Sequence, residues 1–154
     1  MTTRETADVT YVYTTERQRL DVRAVHAFLT RSYWAKGIDL ATVERSMIGS
    51  LCFGLLASDE TVAFARVVTD GVTFAYLADV FVLPEHRGVG LGKRLVENIL
   101  ADPRLSGLRR WVLRTSDAHG LYAGYGFVPT ATPEMWMERV RPPGPHVGPE
   151  HLTT

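Results

Sequence analysis

Apolar side chains recur at helical spacing in three stretches of the chain. Residues 21–31 and the stretch after residue 38 each begin with an aspartate, Asp21 and Asp39, that can cap a helix. The same spacing returns beyond Pro84 and lasts to Asp102-Pro103, where proline stops a helix. Three amphipathic helices are therefore predicted. Their apolar faces are Val22, Val25, Phe28 and Leu29; Leu40, Val43, Met47 and Leu51; and Leu91, Leu95, Val96, Ile99 and Leu100.

Runs of β-branched and aromatic residues predict strands in the rest of the chain. Ser58-Asp59-Glu60 can form one turn, and Asp70-Gly71 is a strong two-residue hairpin signal, so the middle of the chain is predicted to be an antiparallel meander. A short helix is predicted at residues 118–123. The predicted strands are residues 52–57, 61–69, 72–82, 110–114 and 134–140.

The order strand, helix, strand around and after Pro84 indicates the fold class. The strand ending at Val82 and the strand ending at Arg114 enclose a helix, which is a βαβ crossover and makes those two strands parallel. The remaining pairs are predicted to be antiparallel, which gives a mixed sheet with helices on both faces, an α/β or α+β fold.

Composition limits the domain count and the class of partner. With 154 residues, 45% of them apolar, one hydrophobic core is expected, over residues 1–141, followed by a Pro- and Gly-rich tail at 142–154. Seventeen basic residues balance seventeen acidic ones, so no nucleic-acid partner is expected. The first residues lead into no apolar h-region, and the apolar run from Leu77 to Leu83 is short and interrupted by Asp79, which predicts a cytoplasmic protein with no membrane partner.

Cys52 is the lone cysteine, so an internal disulfide and a metal-thiolate cluster are excluded. His146 and His151 in the tail form no convincing metal set. No metal is therefore expected.

The segment from Val80 to Lys93 carries the clearest chemical information. Gly88, Gly90 and Gly92 stand where the strand passes into the helix, and there several backbone N–H groups and the helix dipole favour an anion such as phosphate. Arg87 and Lys93 add positive charge. A nucleotide P-loop would need glycine at Arg87 and a hydroxyl at Arg94, and a dinucleotide fingerprint would need glycine at Lys93 or Leu95, so both fail.

This segment resembles the acetyl-CoA loop of the GCN5-related N-acetyltransferase (GNAT) family, Arg/Gln-x-x-Gly-x-Gly/Ala, here Arg87, Gly90 and Gly92. The resemblance extends upstream to the strand ending in Val82-Leu83-Pro84. Downstream it includes a second motif, Ala-x-x-Leu-Tyr-x-x-x-Gly-Phe, whose positions are Ala118, Leu121, Tyr122, Gly126 and Phe127. Two motifs in this order are far more specific than one glycine loop.

The resemblance implies a GNAT-like fold and direct transfer of an acetyl group from acetyl-CoA to an amine of a small molecule or peptide. It also implies oxyanion and pantetheine contacts from the backbone of residues 80–82. Thr115 stands where many relatives carry an asparagine that contacts pantetheine, and a hydroxyl replaces one hydrogen bond there but not two. The implied cofactor-binding residues are Val80, Phe81, Val82, Arg87, Gly88, Val89, Gly90, Leu91, Gly92, Lys93 and Thr115.

Two catalytic residues are implied. Tyr122 matches the family tyrosine that protonates the departing sulfur, and its alternative role is aromatic packing. Asp79 is the carboxylate on the earlier central strand and is the candidate base; alternatively it accepts backbone N–H bonds or pairs with Arg66 or Arg114. His119, three residues before Tyr122, is the other candidate base.

The acceptor side is less defined by the sequence. Tyr33 and Trp34, in the connection between the first two helices, are predicted to form an aromatic wall for the acceptor, although core packing would explain them as well. Arg66 and Arg114 are candidates to meet a substrate carboxylate. A non-catalytic CoA-binding or sensing module of the same fold is the alternative function, and a homodimer is one possible assembly.

Overall fold

A five-stranded mixed sheet with helices packed on it is the main feature of residues 8–141, the part of the chain that the computed structural model describes. The chain divides into two compact units, one ending at Asp117 and the other beginning at Ala118. The sheet and three helices belong to the first, and a short helix to the second. A single domain over residues 1–141 stays a prediction, and the tail at 142–154 lies outside the described residues.

The strands are β1 to β5 and the helices α1 to α4, in chain order. Short 3₁₀ turns occur at Arg17–Arg19, Pro84–His86, Pro103–Leu105 and Pro133–Met135. The elements are β1 (Tyr11–Thr14), α1 (Val22–Leu29), α2 (Leu40–Ile48), β2 (Leu51–Ala57), β3 (Glu60–Thr69), β4 (Phe74–Val82), α3 (Leu91–Leu100), β5 (Arg110–Leu113) and α4 (His119–Ala123).

The strands follow one another in the sheet in the order β1-β2-β3-β4-β5. The first three pairs are antiparallel, and β4 and β5 are parallel, as the βαβ order predicts. The predicted fold class is therefore confirmed. The turn at Ser58 and Asp59 uses positive φ angles of 48° and 62°, which twist the chain in the sense that a tight hairpin needs.

Helices α1 and α2 pack on one face of the sheet. Asp21 and Asp39 cap them as predicted, since their carboxylates accept hydrogen bonds from the backbone of Arg23 and Thr42. Burial of the apolar side chains on this face holds the two helices against the sheet. The buried cluster comprises Leu20, Val25, Leu29, Val43, Met47, Cys52, Leu56, Phe64 and Phe81.

Helix α3 covers the opposite face. Successive side chains of a strand alternate between faces, so the fully buried Phe53 points away from Cys52 and the α1–α2 cluster. Helix α3 contacts β2, β3 and β4, and its own buried side chains lie outside that cluster. Within residues 8–141, no helix has the length and apolar character that crossing a membrane requires.

Two sequence predictions need correction, and one strand was missed. Helix α2 stops at Ile48, because the Gly49 N–H closes its last turn onto Arg45; Leu51, placed on that helix by the periodicity, starts β2 instead. Strand β1 was not predicted. The strand predicted at 134–140 is wrong: residues 133–135 form a 3₁₀ turn, in which the N–H groups of Met135 and Trp136 donate to Thr132 and Pro133, and residues 136–141 contain no strand.

Candidate functional site

The pairing of the two parallel strands ends before β4 does. Strands β4 and β5 pair from Phe74 with Arg110 to Leu77 with Leu113, whereas β4 continues to Val82. On the side that faces away from β3, residues 78–82 pair with no strand in the described part of the chain. This edge therefore presents backbone N–H and C=O groups to a ligand, and it contains Val80, Phe81 and Val82, three of the predicted cofactor residues.

A β-bulge interrupts β4 at the start of this edge. Arg66 pairs with Ala78 and Phe64 pairs with Phe81, so Asp79 and Val80 together face the single residue between the two β3 positions. Asp79 has a φ of 55°, in the left-handed region, which only a few residue types adopt at small cost. Bulges of this kind turn a side chain away from its regular position in a strand.

Both carboxylate oxygens of Asp79 accept hydrogen bonds. One lies 2.6 Å from Nε of Arg66 and the other 2.9 Å from Nε1 of Trp34. Nη1 of Arg66 also donates to Oγ of Ser50 at 3.2 Å. The ion pair is largely shielded from solvent, with 19% of the Arg66 side chain and 9% of the Asp79 side chain exposed. Of the two pairings that the sequence left open for Asp79, the structure therefore shows the one with Arg66; the role of Asp79 as a base stays a prediction.

The aromatic residues between α1 and α2 lie beside this carboxylate. The rings of Tyr33 and Trp34 meet edge to face, 5.0 Å apart, and Tyr33 is 62% exposed against 41% for Trp34. Beneath them Phe28 contacts Trp34 and stacks on Phe81 of β4 at 4.1 Å. The sequence left core packing open as the alternative role of these two residues. The exposure of both rings shows that they are not core residues.

The connection that carries these rings is tied to both central strands. Trp34 donates to Asp79 of β4, and the Tyr33 hydroxyl accepts a hydrogen bond of 3.2 Å from the backbone N–H of Ser116, three residues beyond the end of β5. The structure therefore brings the predicted acceptor residues to the place where β4 and β5 separate.

The glycine loop leads from β4 into α3. Gly88 and Gly90 both have a φ of 83°, and a Cβ placed on either would meet nothing within 4 Å. Gly90 caps α3 without any side-chain hydrogen bond, and the first turn of the helix contains no acidic residue. The backbone N–H groups at this helix end therefore have the geometry and electrostatics of an anion site.

Arg87 fixes the start of the loop. Its Nε donates to the Val82 carbonyl at 2.9 Å, which places the guanidinium where β4 ends. The preceding residue, His86, has its Nδ1 2.9 Å from the hydroxyl of Tyr11 on β1. Since the sequence analysis predicted no strand at β1, it missed this contact.

The other predicted loop residues have different exposures. Val89 is 63% exposed, whereas Leu91 is 5% exposed and Phe81 is 4% exposed. Leu91 and Phe81 can therefore offer a ligand their backbone but not their side chains. Gly92 and Lys93 lie in the first turn of α3.

The residues after β5 lie partly in the second unit. The Thr115 hydroxyl accepts a hydrogen bond of 3.4 Å from the backbone of Asp117, so part of its capacity serves the local turn. In the second unit, the buried Tyr122 lies on α4, where its ring meets Phe127 edge to face at 5.9 Å. His119 is the first residue of that helix and is exposed.

Comparison with known protein families yields one matching family model. Residues 49–129 match the acetyltransferase (GNAT) domain. This region includes the strand edge, the glycine loop and the motif around Tyr122.

Two curated relatives match parts of the chain. A protein from Gibberella zeae, provisionally named an acetyltransferase, is 32% identical over 135 residues, which covers 73% of this chain and 75% of that protein. The chloroplastic serotonin N-acetyltransferase 2 of Oryza sativa is 40% identical over 67 residues, which covers 43% of this chain and 34% of that protein.

A solved structure from Xanthomonas campestris pv. campestris, described as a GNAT-family acetyltransferase, is 51% identical to this chain. It superposes with a TM-score of 0.84 and covers 86% of this chain and 94% of its own. Agreement over most of both chains extends the likeness beyond the region of the family model to the N-terminal helices.

Proposed function

The chain belongs to the GNAT acetyltransferase family, and we propose that it transfers the acetyl group of acetyl-CoA to an amine of a small molecule or peptide. The observation that carries the proposal is the β4 edge at residues 78–82, which leads through the glycine loop to a helix start that no side chain caps. An extended amide chain fits the first feature and a diphosphate fits the second.

The glycine loop and the β4 edge provide the groups that would bind acetyl-CoA. A Cβ placed on Gly88 or Gly90 would meet no atom within 4 Å, so phosphate oxygens can approach the backbone there, and Arg87 adds a positive charge at the start of the loop. The backbone of Val80 and Val82 can pair with the pantetheine amides as an added strand would. When bound, acetyl-CoA supplies an acetyl group activated as a thioester.

Proton removal from the acceptor is the larger chemical demand. An amine with a pKa of about 10.4 is only about 0.04% neutral at pH 7, a penalty of roughly 5 kcal/mol. We assign Asp79 to this step. Its two oxygens provide about four lone-pair sites, and Arg66 and Trp34 use one on each oxygen, so each oxygen retains a site for a proton or a water molecule.

Tyr122 is assigned the return of a proton to the CoA sulfur. A thiol with a pKa near 8.5 leaves readily as thiolate, so this step contributes less to the rate than the removal of the amine proton.

The aromatic residues favour an acceptor amine on a flat apolar body. The exposed Tyr33 and Trp34 rings offer two perpendicular faces beside the Asp79 carboxylate. Arg66 neutralises that carboxylate, so the pair has little attraction for a polycation. The name of the Oryza sativa relative, a serotonin N-acetyltransferase, agrees with an arylalkylamine acceptor.

A thiol-release assay with acetyl-CoA tests the proposal. The acceptor panel comprises arylalkylamines, amino acids, polyamines, aminoglycosides and peptides. We expect release with at least one class, arylalkylamines first, and a loss of turnover of tenfold or more in Tyr122→Phe and Asp79→Asn with unchanged acetyl-CoA affinity by calorimetry. Tyr13→Phe, which removes a hydroxyl from β1, is the matched control and should keep full turnover.

The alternative function gives a different result. A CoA-binding or sensing module would bind acetyl-CoA with the same affinity but release no thiol with any amine of the panel, and its ligand affinity would not depend on Tyr122. Absence of acetyl-CoA binding would contradict both functions.

A further inference from the structure

Two side chains hold the start of the loop between β4 and α3. Arg87 donates to the Val82 carbonyl at the end of β4, and Nδ1 of His86 lies 2.9 Å from the hydroxyl of Tyr11 on β1. The partners in the first contact are five residues apart in the chain, and those in the second are 75 apart. The contact of His86 with Tyr11 therefore ties the loop to a distant part of the sheet.

This contact bridges two strands. In the sheet, β2 and β3 lie between β1 and β4. Neighbouring strands are about 4.8 Å apart, so β1 and β4 are separated by about 14 Å. The 3₁₀ turn Pro84–His86 and the side chain of Tyr11 together span this distance, and the rings of Tyr11 and His86 also meet edge to face at 5.6 Å. A hydrogen bond and a ring contact thus fix the turn against β1.

The residues after His86 need such a fixed point. Gly88 and Gly90 adopt a φ of 83°, and glycine loses more backbone freedom on ordering than any other residue. Within residues 8–141, the N–H groups of residues 88–90 donate to no backbone carbonyl. Helix α3 holds one end of this segment, and the contact of His86 with Tyr11 holds the other. Fixing both ends lowers the entropy that the segment loses when it orders around a ligand.

The hydrogen bond does not depend on the charge of the imidazole. A phenolic hydroxyl both donates and accepts, so Tyr11 can donate to an unprotonated Nδ1 or accept from a protonated one. Both residues are half-buried, which limits competition from water.

We propose that Tyr11 and His86 are positioning residues for the cofactor, because their contact holds the glycine loop in the conformation that receives the diphosphate of acetyl-CoA. They act through the loop and not by touching the ligand. The inference rests on the acetyl-CoA binding of the proposed function. It extends the cofactor site to β1, which lies outside the region 49–129 that the family model matches.

Calorimetry with free CoA tests the inference. Tyr11→Phe should weaken CoA binding about fivefold, the effect of one lost hydrogen bond, and His86→Ala, which also loses the ring contact, by at least as much. The double variant should bind no more weakly than His86→Ala alone, because both changes remove the same contact. His86→Asn keeps an acceptor at the position of Nδ1 and should bind CoA within about twofold of the parent.

Tyr13→Phe is the matched control. Tyr13 lies two residues after Tyr11, on the same face of β1, and its buried hydroxyl has no hydrogen-bond partner in the described part of the chain. The CoA affinity of this variant should equal that of the parent. Urea unfolding follows the stability of every variant, since a purely structural contact would change the free energy of unfolding and leave the CoA affinity of the folded protein unchanged.

Unchanged CoA affinity in a folded Tyr11→Phe protein would overturn the inference. A His86→Asn protein that binds as weakly as His86→Ala would also overturn it, because the imidazole would then contact the ligand itself. A parent that binds no CoA would contradict the inference and the proposed function together. The expected changes in CoA affinity without thiol release from any amine would support the inference and contradict the enzymatic function alone.

Discussion

Trp34 donates a hydrogen bond of 2.9 Å to Asp79, although 45 residues separate them in the chain. The contact orients an exposed indole ring beside the carboxylate of the β4 bulge. It therefore links the residue proposed to hold the acceptor to the residue proposed to take its proton.

Trp34→Phe should weaken acceptor binding without affecting acetyl-CoA. Phenylalanine keeps an aromatic ring but cannot donate to Asp79, so the ring loses its fixed orientation. We expect the KM of the best acceptor to rise about fivefold to tenfold and the KM of acetyl-CoA to stay unchanged, by steady-state kinetics. Trp136→Phe is the matched control, since Trp136 is similarly exposed, at 44%, and its Nε1 also donates a hydrogen bond, to Thr130. Equal effects of the two changes would remove Trp34 from the acceptor site.

Asp79→Asn should cost the most activity at low pH. The neutral fraction of a free amine rises about tenfold per pH unit below its pKa, so the need for a base on the enzyme falls as pH rises. The rate ratio of parent to variant should therefore be largest below pH 7 and shrink toward pH 9, in a pH–rate profile of kcat/KM. A ratio that is constant across pH would assign Asp79 to positioning Trp34 and Arg66 alone, and a ratio of one would exclude it from the mechanism.

Gly90→Val should abolish acetyl-CoA binding while the protein stays folded. A left-handed φ of 83° costs a β-branched residue roughly 1–2 kcal/mol, and its side chain would fill the open space over the helix N-terminus. Gly71→Val is the control, because Gly71 has a φ of 78° and equally open surroundings in the β3–β4 hairpin. Denaturant unfolding should show similar losses for both variants, and calorimetry should show lost affinity in Gly90→Val alone. Retained affinity there would contradict the phosphate-binding role of the loop.

Tyr13→Phe should stabilise the protein, most of all in alkaline solution. The Tyr13 hydroxyl is buried without a hydrogen-bond partner among the described residues, and its removal should gain about 1 kcal/mol at neutral pH. Burial, and secondarily the charge of Asp102, raises the pKa of Tyr13 to about 12. Ionisation of Tyr13 therefore leaves the free energy of unfolding unchanged below pH 10, the pKa of a tyrosine in the unfolded chain. As the pH rises from 10 toward 12 the free energy of unfolding falls, and phenylalanine, which does not ionise, avoids this loss.

Urea titrations at pH 7 and pH 11 measure this difference. Tyr11→Phe is the counterpart, because the Tyr11 hydroxyl is bonded to His86 and its loss should destabilise by a similar amount at neutral pH. A Tyr13→Phe protein less stable than the parent at both pH values would show that the hydroxyl has a partner in solution.

Local patterns predicted most of the first unit. The aspartate caps, the apolar faces of α1 and α3 and the β2–β4 meander depend on residues close in sequence, and each was recovered from periodicity. The glycine loop was likewise recognisable, because its left-handed positions at Gly88 and Gly90 need the residue type that the sequence shows.

What the sequence did not predict depends on distant partners. Strand β1 is four residues long, and it exists because Tyr11 to Thr14 pair with residues 54–57 of β2. The contact of Trp34 with Asp79 required the β4 bulge, whose extra residue no periodicity revealed. Segment 134–140 shows the opposite case, because its strand-like side chains begin in a 3₁₀ turn and the rest of the segment contains no strand.

The left-handed backbone at Asp79 has a consequence for how this position can vary. Glycine, asparagine and aspartate adopt that conformation at little cost, and aspartate alone among them carries a carboxylate. Even glutamate, the nearest chemical substitute, would be strained here and would carry its charge one methylene further from Arg66. Among the residue types that the main chain of β4 accepts here at little cost, replacing aspartate therefore always removes the negative charge.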